Sequence, residues 1–322
     1  MKEYILGVDV GGTKTAYGLF DREKNLVAER RSASDAGLSP EAFFDGVSAC
    51  VKDIMAEHGI RNGQMLGVGL GMPSFIVFEK GYIVKTSNLT RIHDFPARSY
   101  LEKKLGGIPV MLDNDTHVAG LAEYRRGAGC GSGDMIYCAV STGIASAAIL
   151  GGRVLRGSYG WAGETGHQIV TPGEGIMCGC GNRGCFMSWC SGSMIVKHIQ
   201  GWIASGEKTL MTELAGCAEN IECRHLETAF DRNDALAARA LGQMSKYLGL
   251  YLYNLYLTFN INCFVLGGGL VKMGEKLLGP ARGVFDECNH NDMEVFFRTA
   301  GLTDRSGIIG AAELVFDNGL VQ

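Results

Sequence analysis

The chain has 322 residues, 46% of them hydrophobic and 20% charged, and a formal net charge of −4 at pH 7. This length allows a substantial core and indicates about two domains. The slightly negative charge excludes a general attraction to nucleic acid or to an anionic membrane, and no apolar run approaches the ~18 residues of a membrane span. The eleven cysteines, an odd number, and the expected absence of a targeting segment predict a reducing, cytoplasmic location.

The first part of the chain is predicted to open with three strands joined by tight turns. Apolar and β-branched residues indicate strands at Tyr4–Val10, Thr15–Phe20 and Leu26–Ser32, with Gly11-Gly12-Thr13-Lys14 as the first turn. Helical periodicity then predicts helices at Pro40–His58, Phe95–Leu105 and Thr116–Arg126, and short apolar runs predict strands at Leu66–Leu70 and Pro109–Leu112.

The opening pattern recurs in the second half of the chain. Strands are predicted at Met135–Val140, Ala145–Leu150 and Arg153–Arg156, separated by the turns Ser141-Thr142-Gly143 and Gly151-Gly152. Two strand–turn–strand–turn–strand units predict a duplicated architecture with two similar lobes. The remaining predicted elements are helices at Ser193–Ser205, Ala235–Phe259 and Gly310–Phe316 and a strand at Cys263–Leu266 that leads into Gly267-Gly268-Gly269.

Two of these turns, Asp9–Lys14 and Ser141–Ile144, are candidates for phosphate binding. Glycine turns expose backbone N–H groups, and the hydroxyls of Thr13 and Thr142 add donors. Asp9 could organise a hydrated magnesium ion, and Lys14 supplies positive charge. A single Gly-Gly turn is usually only a turn, but its recurrence in two similar units favours a nucleotide held from both sides. Gly268 and Gly269 indicate either close approach to a flat ligand such as adenine or simply a strand-to-helix turn.

Polar residues follow the predicted strand Pro109–Leu112. Asp113-Asn114-Asp115 precedes a helix, and helix capping would need only one of these residues. Asp115 at this position is suited to accept the proton of an attacking hydroxyl group. Asn88 could hydrogen-bond a polyol from a β-like segment, or be an ordinary turn residue.

A metal site is predicted where one histidine and three cysteines follow the order H-x10-C-x-C-x4-C. Four soft ligands separated by glycines suit a closed tetrahedral zinc site, with the thiolates of the cysteines and one ring nitrogen of His167. The alternatives are small buried cysteines on a glycine-rich loop or a disulfide, which is disfavoured because Cys178 and Cys180 are too close. A structural zinc would fix the segment that carries Glu164. The predicted ligands are His167, Cys178, Cys180 and Cys185.

Together these motifs resemble the ROK family of sugar kinases and repressors. The resemblance rests on D-V-G-G-T-K at 9–14, N-D at 114–115, S-T-G-I at 141–144, E-T-G-H at 164–167 and C-G-C-G-N-R-G-C at 178–185, in that family's order. It implies an α/β, actin-like ATPase/hexokinase-like (ribonuclease H-like) duplicated two-lobed fold. The expected small lobe is 1–115 plus 306–322, and the large lobe, with the zinc loop, is 116–305.

The resemblance also implies a reaction: magnesium-dependent transfer of the ATP γ-phosphate to a hexose hydroxyl, usually the 6-hydroxyl. It makes Asp115 the general base, implies binding of sugar and ATP, and favours a homodimer, which is common in the family. Neither nucleic acid nor membrane is expected as a partner, because the net charge is slightly negative. By the family pattern, the sugar contacts are Asn88, Asn114, Glu164 and His167 beside the base Asp115, and the residues that line the phosphates are Gly11, Gly12, Thr13, Thr142 and Gly143. The residues themselves add Asp9, Lys14, Gly268 and Gly269 to the predicted nucleotide and magnesium contacts.

Three positions depart from the family pattern. Met187 stands where a sugar-binding Glu is usual, His117 where a second Asn is common, and Ala145-Ser146 where glycines usually continue the phosphate turn. A lost hydrogen bond to a buried hydroxyl costs on the order of 1–3 kcal/mol. Two expectations stay open: a substrate other than plain glucose, such as allose or an amino sugar, or a catalytically weak sugar-binding or regulatory protein. A zinc enzyme is disfavoured because four protein ligands leave no open coordination position.

Overall fold

The computed structural model describes residues 3–317 of the chain, and these form two compact units. Among the described residues, the first unit comprises 3–137, 147–163 and 300–317, and the second comprises 138–146 and 164–299. The lobe boundaries proposed from the sequence, 1–115 plus 306–322 and 116–305, stay a prediction. Residues 1–2 and 318–322 of that division lie outside the described residues.

The strands form three sheets in the described part of the chain. In chain order they are β1 (Tyr4–Val10), β2 (Lys14–Asp21), β3 (Leu26–Ala33), β4 (Met65–Met72), β5 (Ser74–Val77), β6 (Tyr82–Thr86), β7 (His93–Phe95), β8 (Val110–Asn114), β9 (Met135–Val140), β10 (Ile144–Leu150), β11 (Arg153–Val154), β12 (Cys263–Gly267) and β13 (Phe296–Thr299).

The α-helices follow or separate these strands. In chain order they are α1 (Pro40–Glu57), α2 (Ala97–Lys104), α3 (Asp115–Arg126), α4 (Phe186–Cys190), α5 (Gly192–Ala204), α6 (Leu210–Ala215), α7 (Cys223–Asp231), α8 (Ala235–Phe259), α9 (Glu275–Cys288) and α10 (Ser306–Asp317). None of the helices within residues 3–317 combines the length and the apolar character that crossing a bilayer requires.

Two five-stranded sheets have the same strand order. The first runs β3-β2-β1-β4-β8, and the second runs β11-β10-β9-β12-β13. In both, three consecutive strands are followed by two strands from further along the chain. In the first sheet β1, β2 and β3 pair antiparallel, whereas β4 and β8 join in parallel. This repetition confirms the mixed α/β, duplicated architecture predicted from the sequence, although β11 has two residues instead of the predicted four.

Helix α10 lies directly on the first sheet because two glycines in the strands remove side chains from its path. A Cβ on Gly7 would lie 2.0 Å from the carbonyl oxygen of Ile308, and one on Gly69 would lie 1.7 Å from that of Ala311. The helix begins at Ser306, four residues before the predicted start at Gly310. The missed first turn contains Gly307, and glycine lowers helix propensity.

The chain passes between the two units at four points: 137/138, 146/147, 163/164 and 299/300. Helix α3 contacts residues next to each of these points. A Cβ on Gly120 would lie 2.9 Å from the Cβ of Ala147 and 3.1 Å from that of Tyr137. The buried carboxylate of Glu123 accepts backbone N–H bonds from Gly301 at 3.0 Å and Leu302 at 2.8 Å. His117 contacts the carbonyl of Ala162. All these contacts lie within the first unit.

A third sheet, β5-β6-β7, was not predicted. Its strands have only four, five and three residues, and such short apolar runs do not by themselves distinguish a strand from other structure. Strand β6 ends at Thr86, whose hydroxyl donates to the carbonyl of Leu89 at 2.6 Å. Asn88 therefore lies in a bend after the strand and not in a continuous β-like segment.

Helix α9 was also missed because Gly and Pro within it argue against a helix. Its apolar residues are nevertheless buried, and it packs closely on α8: a Cβ on Gly249 would lie 2.4 Å from the carbonyl oxygen of Ala281. The apolar residues on one side of α8 belong to the core: Leu241, Met244, Leu248, Leu252 and Leu255 are all buried.

Candidate active site and metal centre

In the first unit, the turn between β1 and β2 is closed by its own backbone. The N–H of Gly11 donates to the carbonyl of Lys14 at 2.9 Å, and the N–H of Ser34 donates to the carbonyl of Thr13 at 3.0 Å. A Cβ on Gly12 would lie 3.1 Å from the Cβ of Asn88, so this turn and Asn88 are neighbours. The side chains of Thr13 and Lys14 are exposed and available to a ligand.

Asp9 lies at the end of β1, against the first turn of α10. A Cβ on Gly307 would lie 2.2 Å from Cγ of Asp9, so the absence of a side chain at 307 makes room for this carboxylate. Burial and repulsion by Asp115 raise the pKa of Asp9 to about 6, and Lys14 opposes that shift. Two carboxylates that repel each other attract a cation, and oxygen ligands suit magnesium. The donor set around Asp9 therefore fits a hydrated magnesium ion.

Asp115 is the first residue of α3, and its neighbour Asn114 caps that helix. Oδ1 of Asn114 accepts from the N–H of Thr116 at 2.8 Å, and its Nδ2 donates to the carbonyl of Ser74 at 3.2 Å. Oδ1 of Asp115 accepts from the same Thr116 N–H at 2.8 Å. Burial raises the pKa of Asp115, and the Thr116 N–H opposes it. Because Asn114 already caps the helix, Asp115 is not needed for that role and can serve as a base.

A buried ionic network lies directly beside Asp115. The fully buried Asp113 accepts from Nδ1 of His117 at 3.0 Å and from Nε of Arg156 at 2.8 Å. Nε2 of His117 donates to the carbonyl of Ala162 at 2.6 Å. This network was not predicted: from the sequence, Asp113 was one of three polar residues before a helix, and Arg156 was the end of a strand. An Asp and a His four residues apart at the start of a helix were the available signal.

In the second unit, the turn Ser141–Gly143 is held by the beginning of α5. The N–H of Ser141 donates to the carbonyl of Gly143 at 2.9 Å, which closes the turn. The N–H of Gly192 donates to the carbonyl of Ser141 at 2.8 Å, and the hydroxyl of Ser193 donates to that of Thr142 at 2.7 Å. The Thr142 side chain is left exposed.

Gly268 and Gly269 lie beside this second turn. Gly268 has φ 98°, and a Cβ there would lie 2.4 Å from the carbonyl oxygen of Val140 in β9. A Cβ on Gly269 would lie 3.7 Å from Oγ of Ser141. A short 3₁₀ helix follows at Gly269–Met273, so the segment is a strand-to-helix turn, one of the two predicted alternatives. Its place beside Ser141 groups it with Thr142 and Gly143, and its contact with a nucleotide stays a prediction.

The four predicted metal ligands are brought together. One ligand atom from each of His167, Cys178, Cys180 and Cys185 lies within 4.8 Å of every other. Sγ of Cys180 and Sγ of Cys185 are 3.7 Å apart, and Sγ of Cys178 is 3.3 Å from Nδ1 of His167. Tetrahedral zinc with Zn–S bonds of about 2.3 Å places two sulfurs about 3.8 Å apart. The donor set and its spacing fit zinc, with Nδ1 as the histidine ligand.

This arrangement leaves the other ring nitrogen of His167 facing Glu164. Nε2 of His167 lies 3.7 Å from Oε2 of Glu164, and both side chains are partly exposed. A bound metal ion would therefore hold the imidazole through Nδ1, while Nε2 and the carboxylate of Glu164 lie on the other side of the ring. These are the two groups that the sequence predicted for a sugar.

A buried hydroxyl network supports the same segment and accounts for one departure from the family pattern. The hydroxyl of Thr165 lies 2.8 Å from that of Ser146 and 2.7 Å from that of Tyr251. Ser146 is 2% exposed, so its side chain points into the unit and not into the turn. A glycine at 146 could not make this contact.

Met187 follows Cys185 at the start of α4. Its Cε lies 3.6 Å from the position of a Cβ on Gly143, so the apolar side chain packs against the second turn. It offers no strong hydrogen-bond acceptor there.

Comparison with known proteins agrees with these motifs over nearly the whole chain. The model of the ROK family matches residues 5–318. A glucokinase of Streptomyces coelicolor is 28% identical over 316 residues, covering 96% of each chain. An N-acetylmannosamine kinase of Shigella flexneri is 30% identical over 266 residues, covering 83% of each.

Solved structures of the family have the same fold. A ROK family glucokinase from Streptomyces griseus in complex with glucose and AMPPNP has TM-score 0.80 and 28% identity, covering 98% of this chain and 99% of that one. The ROK hexokinase from Thermus thermophilus has TM-score 0.81 and 32% identity, covering 98% and 100%. A ROK family transcriptional regulator, homologous to the E. coli MLC protein, has TM-score 0.85 at 20% identity, covering 99% and 80%. This chain belongs to the ROK family.

Proposed function

We propose that the protein is an ATP-dependent hexose kinase that uses Asp115 as its general base. The observation that carries the proposal is the grouping within one unit of Asp115, Asp9 and the turn Gly11–Lys14, with Asn88 and Asn114 beside them. The likeness to a glucokinase and to an N-acetylmannosamine kinase supports it.

Asp115 acts on the nucleophile. Its carboxylate accepts the proton of a hexose hydroxyl, for which we propose the 6-hydroxyl, while that oxygen attacks the γ-phosphorus of ATP. The bond from the γ-phosphorus to its bridging oxygen breaks, and ADP leaves. The raised pKa of Asp115 makes its carboxylate a stronger proton acceptor than an exposed one.

The two glycine turns hold the nucleotide in this proposal. Backbone N–H groups of Gly11, Gly12 and Gly143, with the hydroxyls of Thr13 and Thr142, bind phosphate oxygens, and Gly268 and Gly269 leave room for adenine. A magnesium ion near Asp9 would neutralise phosphate charge, and Lys14 would add to that neutralisation. Phosphoryl transfer depends mainly on such positioning and charge stabilisation.

The sugar is read by a second set of groups: Asn88, Asn114, Glu164 and His167. A zinc ion bound by His167, Cys178, Cys180 and Cys185 would be structural, because its four protein ligands fill the coordination shell. It would orient His167 and thereby the loop after Glu164. We also propose a homodimer in the reducing cytoplasm; both stay predictions.

A catalytically weak sugar-binding or regulatory protein is the second candidate. Met187 favours it, because an apolar side chain packed against Gly143 cannot accept a hydrogen bond from a sugar hydroxyl. The transcriptional regulator of similar fold shows that the scaffold is not confined to kinases.

One experiment separates the two candidates. ADP release is measured for the purified protein with ATP and magnesium against glucose, mannose, allose, glucosamine and N-acetylmannosamine, with ATP alone as the blank. A kinase gives sugar-dependent ADP release that saturates for at least one of these sugars. Binding of a sugar by calorimetry, without ADP release for any of them, supports the regulatory candidate instead.

A further inference from the structure

His117 is buried in the first turn of α3 and lies between two oxygen acceptors. Its side chain is 2% exposed. Nδ1 lies 3.0 Å from Oδ1 of Asp113, and Nε2 lies 2.6 Å from the carbonyl oxygen of Ala162. Both ring nitrogens are therefore within hydrogen-bond distance of an oxygen.

Neither partner can donate a hydrogen. A main-chain carbonyl only accepts. Asp113 already accepts from Nε of Arg156 at 2.8 Å and from the N–H of Asn114 at 2.8 Å, which favours its ionised form. A neutral imidazole would leave one nitrogen lone pair facing an oxygen in a buried site, at the cost of an unsatisfied acceptor. Both nitrogens of His117 therefore carry hydrogen, and the ring is an imidazolium.

The charges in this network balance. The imidazolium and the Asp113 carboxylate form a buried neutral pair, and the guanidinium of Arg156 is 22% exposed and so keeps contact with solvent. Burial alone would lower the pKa of His117, but Asp113 and the Ala162 carbonyl outweigh it and raise the pKa, whereas Arg156 opposes the rise.

The carbonyl that His117 holds lies two residues before Glu164. The same segment is fixed a second time at Gly160, where an added Cβ would lie 2.2 Å from the carbonyl oxygen of Ile76. The backbone from Gly160 to Ala162 is thus anchored at both ends within the first unit. Glu164, the proposed sugar ligand, lies two residues after Ala162.

We infer that His117 is a positioning residue whose imidazolium form fixes the backbone ahead of Glu164 and thereby sets the affinity for the sugar. An asparagine cannot replace it, because its short amide cannot reach donors to both Asp113 and Ala162. The affinity part of this inference rests on the proposed function, whereas the charge state of His117 does not.

The charge state is tested by nuclear magnetic resonance of protein labelled with ¹⁵N in its histidines, with His117 assigned by its absence in His117→Asn. At pH 8 both ring nitrogens should have the chemical shifts of a protonated ring. In Asp113→Asn, where the ionised acceptor is lost, one nitrogen should be unprotonated at the same pH. A neutral His117 ring at pH 8 in the unaltered protein overturns the inference.

The positioning role is tested by sugar affinity, measured by calorimetry, together with KM and kcat. His117→Asn should weaken binding of the preferred sugar about fivefold to tenfold, the effect of one lost hydrogen bond, with kcat changed less than twofold. His58→Asn is the matched control: His58 is exposed, also contacts a main-chain carbonyl and directly follows α1. Its affinity should equal that of the unaltered protein.

The outcomes separate the inference from the proposed function. Unchanged sugar affinity in His117→Asn overturns the positioning role, even if the ring is charged. A fall in kcat with unchanged affinity overturns it as well, since that would mean a direct effect on the reaction. Sugar binding without any ADP release would contradict the proposed kinase activity alone, and the calorimetric comparison would still decide the role of His117.

Discussion

The carboxylate of Asp9 occupies the space that a side chain on Gly307 would need: a Cβ at 307 would lie 2.2 Å from Cγ of Asp9 and 2.3 Å from Oδ2. The backbone of α10 and the end of β1 thus approach more closely than any residue but glycine permits. The magnesium role proposed for Asp9 depends on this approach.

Replacing Gly307 by alanine tests that dependence. In an open helical position this change stabilises a protein by roughly 0.5–1 kcal/mol, but here the clash should outweigh the gain and destabilise by about 1–3 kcal/mol. Kinase activity should fall with it. Gly46→Ala in α1 is the control, because a Cβ there meets nothing within 4 Å. Denaturant unfolding gives the free energy of unfolding of each variant. Equal stabilisation of the two variants would contradict the close approach of Gly307 to Asp9.

Asp115→Asn removes the proposed base and nearly preserves the shape of the side chain. Sugar-dependent ADP release should fall by ~10²–10⁴-fold, while sugar affinity measured by calorimetry stays within about twofold. Asp53→Asn, an exposed position in α1, should leave both values unchanged. Activity near that of the unaltered protein would remove Asp115 from the role of base.

Asp9 should make the folded state less stable as the pH rises. Its pKa is raised from 3.8 to about 6 by burial and by Asp115, so the folded protein holds this proton more tightly than the unfolded chain does. That contribution to stability is complete below pH 4 and is lost as the pH rises to about 6.

The comparison of Asp9→Asn with the unaltered protein, both without magnesium, isolates this effect. Relative to the unaltered protein, the free energy of unfolding of the variant should increase between pH 4 and pH 6 and then level off. Chemical denaturation at several pH values gives this difference. A difference that does not vary with pH would show that Asp9 has an ordinary pKa.

Purified protein should contain about one zinc per chain. Cys185→Ser should lose most of it and lower the Tm, because metal binding stabilises the folded state that presents the four ligands. Cys217→Ser, in the same unit but outside the cluster, should keep the zinc. Metal analysis gives the zinc content of each protein, and calorimetric melting gives its Tm. Folded protein that contains no zinc would overturn the metal assignment.

Met187→Glu tests whether this position reads the sugar. A carboxylate here could accept a hydrogen bond from a hydroxyl, and one such bond is worth about tenfold in kcat/KM. The order of preference among hexoses should therefore change. Met177→Glu is the control: Met177 is exposed and lies in the loop that precedes α4. An identical profile for the two variants and the unaltered protein would mean that residue 187 does not contact the sugar.

The sequence was informative where chemistry requires particular residues close together along the chain. The ligands from His167 to Cys185 span one short segment, and Asn114 and Asp115 are adjacent, so their grouping could be predicted without a fold. The repeated strand pattern likewise predicted a duplicated architecture, and two of the sheets have the same strand order.

Contacts between distant residues could not be predicted in this way. In the network of Asp113, His117 and Arg156, the arginine lies 43 residues after Asp113. Nothing in the local sequence around either of these two residues indicates the other. Helix α9 has glycines and a proline that disfavour a helix, and only burial against α8 overrides them. The hydroxyl partner of Ser146 is Thr165, 19 residues further along the chain. The sequence therefore showed Ser146 only as a departure from the glycines that usually continue the phosphate turn.

Helix α3 also has a consequence for how the protein opens. Gly120, His117 and Glu123 contact residues beside the four points at which the chain passes from one unit to the other. Asp115 is the first residue of the same helix. Unfolding of these twelve residues would release the contacts of Gly120, His117 and Glu123 together with the base. Native-state hydrogen exchange should therefore find that the amides of α3 and of the adjoining connections exchange as one cooperative group. We expect no species in which Asp115 keeps its place while the contacts of α3 with the connections are lost.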